Sequence, residues 1–338
     1  MPPEQNPQTA KLPKFSPQPA FSQKLETTVE GLLFLENHWS IDKQTDFKKA
    51  KQKLIKDLDL SHIAKEERQL FNGIFKLFAL KHGLGPENGT LLEKLNQPHE
   101  GKMIGFLGPL GVSKTTLAKE LARKLKVKLT TVEPHEKNPF WRVQQDNSKE
   151  NYPKYMLRSQ IYFLISNINS DIKARLSSKT TISDTSILTD ILMWAKWYNK
   201  TGEFNDKEYQ TYQKLVNLLK PIIPRPDLLV VLKSDTIEHL KQGIIERQKH
   251  EPSRTGELSF ARPDDNDLLI QEESIDRIAQ NLEKNWHVKT LKFIVNPLVI
   301  YKESEIRYDI NYQIMDKLHL LGSLIKPKPE GVAKQKVN

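Results

Sequence analysis

The feature that most constrains the fold is an apolar strand that runs directly into a glycine loop and a helix, in residues 102–126. The segment reads KMIGFLGPLGVSKTTLAKELARKLK. Four more short apolar runs follow, separated by stretches with a helical period: KLTTVE, TTISD, DLLVVLK and PLVIY. Because strands that alternate with helices pair in parallel, the sequence predicts an α/β fold with a five-stranded parallel sheet flanked by helices.

The glycine loop matches the phosphate-binding pattern G-x-x-x-x-G-K-[ST] at all but one position. Ser113 stands where the last glycine belongs, between Gly108 and the pair Lys114–Thr115. In a P-loop, backbone N–H groups and a helix N-terminus surround a polyphosphate, and the lysine adds a point charge. We therefore predict a P-loop NTPase-type fold; an ordinary strand-to-helix turn is the alternative. The predicted nucleotide-binding residues of the loop are Gly108, Gly111, Val112, Ser113, Lys114, Thr115 and Thr116.

Two acidic residues fall where such folds bind their ligands. Glu133 ends the second predicted strand and Asp184 ends the third. Ligands of open α/β sheets bind at the carboxyl ends of the strands, which places both carboxylates on the same edge as the glycine loop. For Glu133, a solvated or helix-capping charge is the alternative interpretation.

The chain before the predicted sheet has a different pattern. Residues 25–98 are helical in period, most clearly in IAKEERQLFNGIFKLFALKHG. Residues 1–24 are rich in proline and glutamine, which predicts disorder. We therefore expect a disordered start, a helical extension over 25–98, a P-loop domain over 99–320 and a disordered basic tail over 326–338. The extension carries no catalytic grouping, and either packs on the next domain or binds a partner.

Composition limits the location and the partners of the protein. Its 338 residues carry a net charge of +10, but lysine and arginine alternate with acidic residues and show no zinc-finger or RNA-binding signature, which argues against a nucleic-acid partner. The absence of cysteine excludes a disulfide framework. No apolar run approaches a membrane span and the first residues lack the order of a secretory signal. We expect a cytoplasmic protein whose basic surface attracts phosphorylated ligands.

Four further segments, taken in chain order, resemble the deoxynucleoside kinase family, especially its bacterial deoxyadenosine/deoxyguanosine kinase branch. They are VEPHEKNPFW, YMLRSQIYFLISN, ISDTSILTDILMWAKWYNKTGEFNDKEYQTY and PDLLVVLKSDTIEHLKQGIIERQ. The resemblance covers about residues 102–318 and leaves the helical extension outside. It implies ATP and Mg²⁺ as cofactors, a nucleoside acceptor that is phosphorylated on its 5′-hydroxyl, and a homodimer through the helices after strands two and three.

The resemblance also implies an acceptor site. Glu133, in EP, matches the carboxylate that takes the proton of the 5′-hydroxyl. Gln160, in SQIYFL, matches the glutamine whose amide pairs with the nucleobase as both donor and acceptor. Trp141 and Phe163 are candidates to line the base pocket. The alternatives are a polar helix-surface residue for Gln160 and aromatic core packing for Trp141 and Phe163.

For the phosphate side, the resemblance implies a metal site and a basic lid. Asp184, in ISDTS, matches the family's acidic residue and, with the Thr115 hydroxyl, is assigned to Mg²⁺. Arg247 and Lys249, in IIERQKHE, match the lid and are assigned to the transferring phosphate; an exposed basic helix end is the alternative. The predicted catalytic residues are Lys114, Glu133, Asp184 and Arg247.

Four positions depart from the family pattern. They are Ser113 for the loop glycine, Thr185 for the arginine after the acidic residue, Gln145 for a sugar-binding tyrosine and Asn167 for a second arginine. Losing a charge-assisted contact to a transferring phosphoryl costs on the order of 10²–10³ in rate. The cationic residues near enough in sequence to replace a lost arginine are Arg158, Arg175 and Lys179.

These departures leave two functions open. The first is an ATP- and Mg²⁺-dependent kinase for the 5′-hydroxyl of a deoxynucleoside or a similar small hydroxyl substrate. The second is a nucleotide-binding protein of the same fold with weakened catalysis, which acts as a regulator or scaffold through its helical extension. A kinase for a nucleoside monophosphate needs a second phosphate-binding arginine cluster, which we cannot place in the sequence.

Overall fold

A computed structural model describes residues 17–40, 42–84, 91–97, 99–130, 137–141, 152–184, 187–250, 267–302 and 309–316. Five strands in these ranges form one parallel sheet in the order β2–β3–β1–β4–β5. They are β1 (Met103–Leu107), β2 (Lys128–Thr130), β3 (Thr181–Ser183), β4 (Leu228–Ser234) and β5 (Lys289–Val295). The predicted α/β fold with a five-stranded parallel sheet is confirmed.

Helices precede and separate the strands. They are α1 (Gln18–Asn37), α2 (Lys43–Asp57), α3 (Lys65–Lys81), α4 (Leu91–Asn96), α5 (Lys114–Leu125), α6 (Tyr152–Arg175), α7 (Ile187–Thr189), α8 (Ala195–Lys200), α9 (Asp206–Leu219), α10 (Ile237–His250), α11 (Asp267–Trp286) and α12 (Pro297–Lys302). A π-helical stretch, Asp190–Trp194, joins α7 to α8, and a 3₁₀ turn, Lys220–Ile222, follows α9. Of the helices described, none is long and apolar enough to cross a membrane.

The fifth strand was predicted wrongly. The run PLVIY is the helix α12, and β5 is the preceding run KTLKFIV. Proline is favourable in the first turn of a helix, and the Asn296 side chain caps that turn by accepting the N–H groups of Leu298 and Val299 at 3.0 and 3.3 Å. Strand β5 lies at the edge of the sheet with Lys289 and Lys292 exposed, so it lacks the continuous apolar run of a central strand.

The described residues form two compact units, and the N-terminal helices are not a unit by themselves. The first unit combines Met1–Thr90 with His135–Ile165 and Tyr198–Pro221. The second combines Leu91–Pro134 with Ser166–Trp197 and Ile222–Asn338. The division therefore differs from the boundary predicted at residues 98–99, because two segments of the kinase-like region fold together with the extension.

Helix α1 also begins earlier than predicted. It starts at Gln18, so residues 18–24, which we assigned to a disordered start, are helical. Phe21 and Leu25 are buried and continue the three-to-four-residue apolar spacing of α1. That spacing gives this segment an apolar face to bury despite its prolines and glutamines.

The core of the first unit is a set of helix faces rich in phenylalanine. Its buried apolar residues on α1 and α3 are Phe21, Leu25, Val29, Leu32, Leu35, Leu70, Phe71, Ile74, Phe75, Leu77 and Phe78. The Phe21 and Phe71 rings lie 5.7 Å apart. On α3, a Cβ at Gly73 would lie 2.9 Å from Ile165 Cγ2 of α6, so glycine permits α3 and α6 to approach closely at this point.

The core of the second unit surrounds the middle of the sheet. Strand β1 is buried along its whole length, and β4 is buried over its first five residues, as expected of central parallel strands covered on both faces. Leu117, Ala118 and Leu121 of α5 pack into the same core. This packing fixes the start of α5, and hence the glycine loop, at the carboxyl end of β1.

Candidate active site

The loop between β1 and α5 reverses direction through two residues in the left-handed region. Gly111 has φ 83° and Ser113 has φ 70°, and α5 begins at the next residue, Lys114. Successive N–H groups in such a turn converge into an anion-binding concavity, to which the helix N-terminus adds partial positive charge. The Val112 side chain is buried in the core, so Val112 offers a ligand only its backbone, whereas Thr116 is half-buried.

Close packing determines the shape of this loop. A Cβ at Gly108 would lie 2.7 Å from the Leu232 carbonyl oxygen of β4. A Cβ at Gly111 would lie 2.8 Å from the Leu240 carbonyl oxygen of α10, and one at Gly243 would lie 2.7 Å from the Gly111 carbonyl oxygen. Both loop glycines are therefore required for contact with β4 and α10, apart from any need for positive φ.

Helix α11 holds the same loop from another side. The Leu110 N–H donates to Gln271 Oε1 at 3.1 Å, and the Ser234 N–H at the end of β4 donates to Glu272 Oε1 at 2.6 Å. Burial raises the pKa of the Glu272 carboxyl, while the Ser234 N–H and the Lys233 and Lys114 ammonium groups oppose this shift. Two adjacent side chains of α11 thus anchor the loop and the carboxyl end of β4.

Three predicted site residues meet at the start of α5. Lys114 Nζ donates to the carbonyl oxygens of Gly108 and Pro109 at 2.8 and 2.7 Å, which holds the ammonium group across the loop. Thr115 Oγ1 donates to Asp184 Oδ2 at 3.2 Å. Asp184 follows β3 and is only 6% exposed, so its carboxylate lies at the carboxyl edge of the sheet, as the sequence indicates.

The hydroxyl of Thr115 and the carboxylate of Asp184 fit a Mg²⁺ site. Mg²⁺ prefers oxygen ligands and is usually bound by one or two protein groups, with phosphate and water oxygens completing its octahedron. Among the residues described, no cluster of three or more histidine, cysteine, aspartate or glutamate side chains could form a metal cage. A hydroxyl and carboxylate beside a P-loop lysine match this sparse donor set.

Ser113 carries the strain expected of a side chain in a glycine position. Its φ of 70° costs a non-glycine residue about 1–2 kcal/mol, and its hydroxyl donates to the Pro297 carbonyl oxygen at 3.3 Å. We expect Ser113→Gly to raise the melting temperature by about 2–4 °C, the change that about 1 kcal/mol produces in a domain of this size. Scanning calorimetry checks this.

Ser113→Ala is the matched control, because alanine loses the hydroxyl but keeps the Cβ. We expect Ser113→Ala to be less stable than the wild type. If the glycine variant is no more stable than the alanine variant, the strain at this position is not significant.

Three predicted acceptor residues lie in the first unit. Gln160 on α6 is 4% exposed; its Nε2 lies 3.9 Å from Met156 Sδ, and its Oε1 is buried with no hydrogen-bond partner among the residues that the structure describes. The Trp141 and Phe163 rings are perpendicular neighbours, with centroids 6.3 Å apart. An unsatisfied buried amide oxygen costs about 1–3 kcal/mol, so Gln160 has the character of a group kept for a ligand's N–H donor.

Asn138 positions the segment that carries Trp141. Its Nδ2 donates to Ser159 Oγ at 2.8 Å on α6, and its Oδ1 accepts the Phe140 N–H at 3.1 Å. Asn138 is fully buried. Sequence reasoning missed this residue, although its position directly before Pro139–Phe140 is a signal for a capped turn.

The two predicted lid residues lie near the end of α10. Gly243 of this helix contacts the glycine loop, and Arg247 follows it by four residues on the same face. Lys249 lies off this face, is exposed, and pairs with Glu246 at 2.6 Å. Of the two lid residues, Arg247 therefore lies on the face of α10 that contacts the glycine loop.

The three cations suggested as replacements for the missing arginine have the following contacts among the described residues. Arg175 pairs with Asp227 at 2.8 Å, where Asp227 also accepts the N–H of Met103 at the amino end of β1. Lys179 lies beside Gly101, just before the same strand end. Arg158 is fully buried in an ion pair with Glu67. Arg175 and the Lys179 backbone thus lie near the amino end of β1, whereas the glycine loop follows its carboxyl end.

Four predicted positions remain, of which the structure describes one. Asn167 is buried, with 5% of its surface exposed. Glu133, Gln145 and Thr185 lie outside the described residues, so the base, the sugar-binding departure and the lost arginine stay predictions.

A parallel sheet of this order, with a glycine loop, lysine and threonine after its first strand, defines a P-loop α/β protein. Residues 104–258 match the family model for deoxynucleoside kinase. This match covers just under half of the chain and shows that the P-loop region is similar to deoxynucleoside kinases.

Individual relatives agree with the family match. The chain is 25% identical over 211 residues to a deoxyadenosine/deoxycytidine kinase of Bacillus subtilis (strain 168), covering 56% of this chain and 94% of that protein. It is 33% identical over 133 residues to a deoxyadenosine kinase of Dictyostelium discoideum, covering 39% and 52% respectively. Among solved structures, the deoxyadenosine kinase from M. mycoides with bound dATP has a TM-score of 0.47 at 20% identity, covering 64% of this chain and 99% of that chain.

Proposed function

We propose that this protein transfers the γ-phosphoryl group of ATP to the 5′-hydroxyl of a deoxynucleoside or nucleoside. The observation that carries the proposal is the hydrogen bond from Thr115 Oγ1 to Asp184 Oδ2 at 3.2 Å, directly beside Lys114. It joins the hydroxyl and the carboxylate that the sequence assigned to one metal site. Both of these relatives are named as kinases, which favours transfer over a binding-only role.

On the phosphate side, the loop residues 108–116 hold the triphosphate through backbone N–H groups. Lys114 neutralises charge on the β- and γ-phosphates, and its ammonium already spans the loop. Thr115 and Asp184 would hold Mg²⁺, which would supply positive charge against the phosphate oxygens. Arg247 is the better candidate for stabilising the transferring group, because it continues the face of α10 that contacts the loop at Gly243.

On the acceptor side, Gln160 reads the nucleobase. Its buried Oε1 accepts an exocyclic or ring N–H of the base, and its Nε2 donates to a ring nitrogen or carbonyl. The Trp141 and Phe163 rings lie near enough to each other to contact one flat base. Glu133 is the proposed general base, on the strength of the family resemblance.

The proposed reaction is a displacement at the γ-phosphorus of ATP. As the bond between the 5′-oxygen and the γ-phosphorus forms, the bond from that phosphorus to the bridging oxygen breaks and ADP leaves. The 5′-hydroxyl proton passes to the Glu133 carboxylate. Positioning and charge stabilisation contribute most of the rate enhancement in such reactions. The homodimer and the cytoplasmic location stay predictions.

The experiment that tests this function is a panel of deoxyribo- and ribonucleosides with Mg-ATP, with each product separated by chromatography. Turnover of one or a few nucleosides, lost in Glu133→Gln while ATP binding persists, is the expected result. If no nucleoside is turned over although the protein binds ATP, and Lys114→Ala abolishes that binding, the binding-only function replaces the proposal.

A further inference from the structure

A fully buried ion pair ties the N-terminal helices to the helix that carries Gln160. Arg158 Nε donates to Glu67 Oε1 at 2.7 Å, and both side chains are 0% exposed. Glu67 lies on α3, which precedes the residues matched by the family model. Arg158 lies on α6, two residues before Gln160. The pair therefore links a segment outside the family match with the proposed nucleobase-binding helix.

Glu67 is the main group that favours the buried charge of Arg158. Burial lowers the pKa of the guanidinium, and the Glu67 carboxylate is the main opposing influence; the group nonetheless stays charged, as arginine does in proteins. The guanidinium carbon lies 4.3 Å from the Phe21 ring centroid of α1. Removing the Glu67 carboxylate would take away the charge that most favours the buried guanidinium, which is destabilising, because the Glu208 carboxylate contributes less.

Other contacts fix the same helices to each other. Gly73 of α3 lets that helix approach Ile165 of α6 closely. At α9, Glu208 is 5% exposed and accepts the Ser22 hydroxyl of α1 at 2.7 Å. Glu208 also belongs to the capping box that begins α9. The helices α1 and α3 are thus fastened to α6 and α9 by buried polar contacts as well as by apolar packing.

The contact between Arg158 and Glu67 and the proposed ligand contact of Gln160 lie on different sides of α6. Residues two apart on an α-helix are rotated by about 200°, so Arg158 and Gln160 project from opposite sides of α6. One side meets Glu67. The other carries Gln160 Oε1, which is buried without a hydrogen-bond partner in the described part of the chain. A shift or rotation of α6 when the ion pair is lost would move Gln160 directly.

We propose that the N-terminal helices are a built-in support for the nucleobase-binding helix. Glu67 is a positioning residue for nucleoside recognition, and it acts through Arg158 on the orientation of α6. The inference rests on the proposed function for its kinetic readout. Residues 18–84 then support a helix of the same protein. This role replaces the regulator or scaffold role that their position outside the family match suggests.

The test compares Glu67→Gln with Glu30→Gln in the full-length chain. Glu30 is a matched control, because it is also on the N-terminal helices and pairs with Lys214 of α9 at 2.8 Å, but both partners are exposed. For Glu67→Gln we expect the nucleoside KM to rise about tenfold or more, as misplacement of a binding group allows, with the ATP KM nearly unchanged. For Glu30→Gln we expect both constants to stay within about twofold, since exposed pairs contribute little.

Hydrogen exchange supplies a readout that needs no activity. In Glu67→Gln, the amides of residues 156–165 of α6 should exchange faster, while those of α5 keep their wild-type protection. A double variant, Glu67→Leu with Arg158→Met, removes both charges at similar volume and should restore the nucleoside KM and the protection of α6. If Glu67→Gln does not fold, Glu67→Asp, which keeps the charge and shortens its reach, replaces it.

Two results would overturn the inference: parallel changes in the nucleoside and ATP KM values, or unchanged protection of α6 in Glu67→Gln. A wild-type protein that phosphorylates no nucleoside would refute the proposed function instead. In that case the exchange rates of α6 still decide whether Glu67 supports this helix.

Discussion

Replacing Lys114 with alanine is expected to lower kcat/KM for phosphoryl transfer by about 10²–10³-fold, the effect of removing one preorganised positive group from the transition state. The Lys114 ammonium lies across the loop on the carbonyl oxygens of Gly108 and Pro109. Alanine removes the only side-chain charge that the loop residues 108–116 contain. Steady-state kinetics with Mg-ATP, beside calorimetric binding of ATP, measures the loss.

Lys124→Ala is the control for this variant. Lys124 lies on the same helix, α5, and pairs with Glu120 at 3.4 Å one turn away. We expect its kcat/KM to stay near the wild-type value. Equal losses in the two variants, or an unchanged rate in Lys114→Ala, would remove Lys114 from the proposed machinery.

Asp184→Asn is expected to lower kcat by about 10²–10³-fold, with a smaller change in nucleoside binding. Asparagine keeps the volume and can still accept the Thr115 hydroxyl, but it replaces the negative charge that favours Mg²⁺ at this buried position. A single-turnover measurement over a range of Mg²⁺ concentrations checks this, because a weakened metal site shifts the midpoint upward.

Asp276→Asn is the control for Asp184→Asn, because it also removes a carboxylate charge but lies outside the proposed metal site. Asp276 pairs with the β4 residue Lys233 and is about half-exposed, so we expect its Mg²⁺ dependence to match the wild type. If Asp184→Asn shows the wild-type Mg²⁺ midpoint, Asp184 does not hold the metal.

The middle of the sheet could be predicted from the sequence and its edge could not. Strands β1 and β4 are buried on both faces and therefore appear as continuous apolar runs. Strand β5 exposes Lys289, Lys292 and Ile294, which breaks its pattern. The more apolar run beside it is a helix, because Asn296 caps it and Pro297 begins it. Short apolar runs do not distinguish strand from helix by period alone.

The parts of the site that follow general rules were also predictable. Lys114 and Thr115 come from a local pattern, and Asp184 from the rule that strand ends share one edge of the sheet. The contacts that hold the loop in place were not predictable, because they join residues distant in sequence. The bond from Leu110 to Gln271 spans 161 residues, and neither residue has a local signal.

The N-terminal helices show the same limit. Their existence follows from the apolar period of α1 and α3. Their attachment to α6 does not, because Glu67 and Arg158 are 91 positions apart and each alone resembles a surface charge. Lysine, glutamate and arginine are almost never fully buried unless paired, so only the fold reveals this pair.

Phosphorylation of the 5′-hydroxyl is tested by measuring the transfer of label from γ-labelled ATP to deoxyadenosine. Analogues of deoxyadenosine that lack the 5′-hydroxyl serve as controls. We predict labelled deoxyadenosine 5′-monophosphate, or the corresponding product of another nucleoside in the panel, and no labelled product from any analogue without the 5′-hydroxyl. Label that appears only as inorganic phosphate, or transfer that persists without the 5′-hydroxyl, would contradict this prediction.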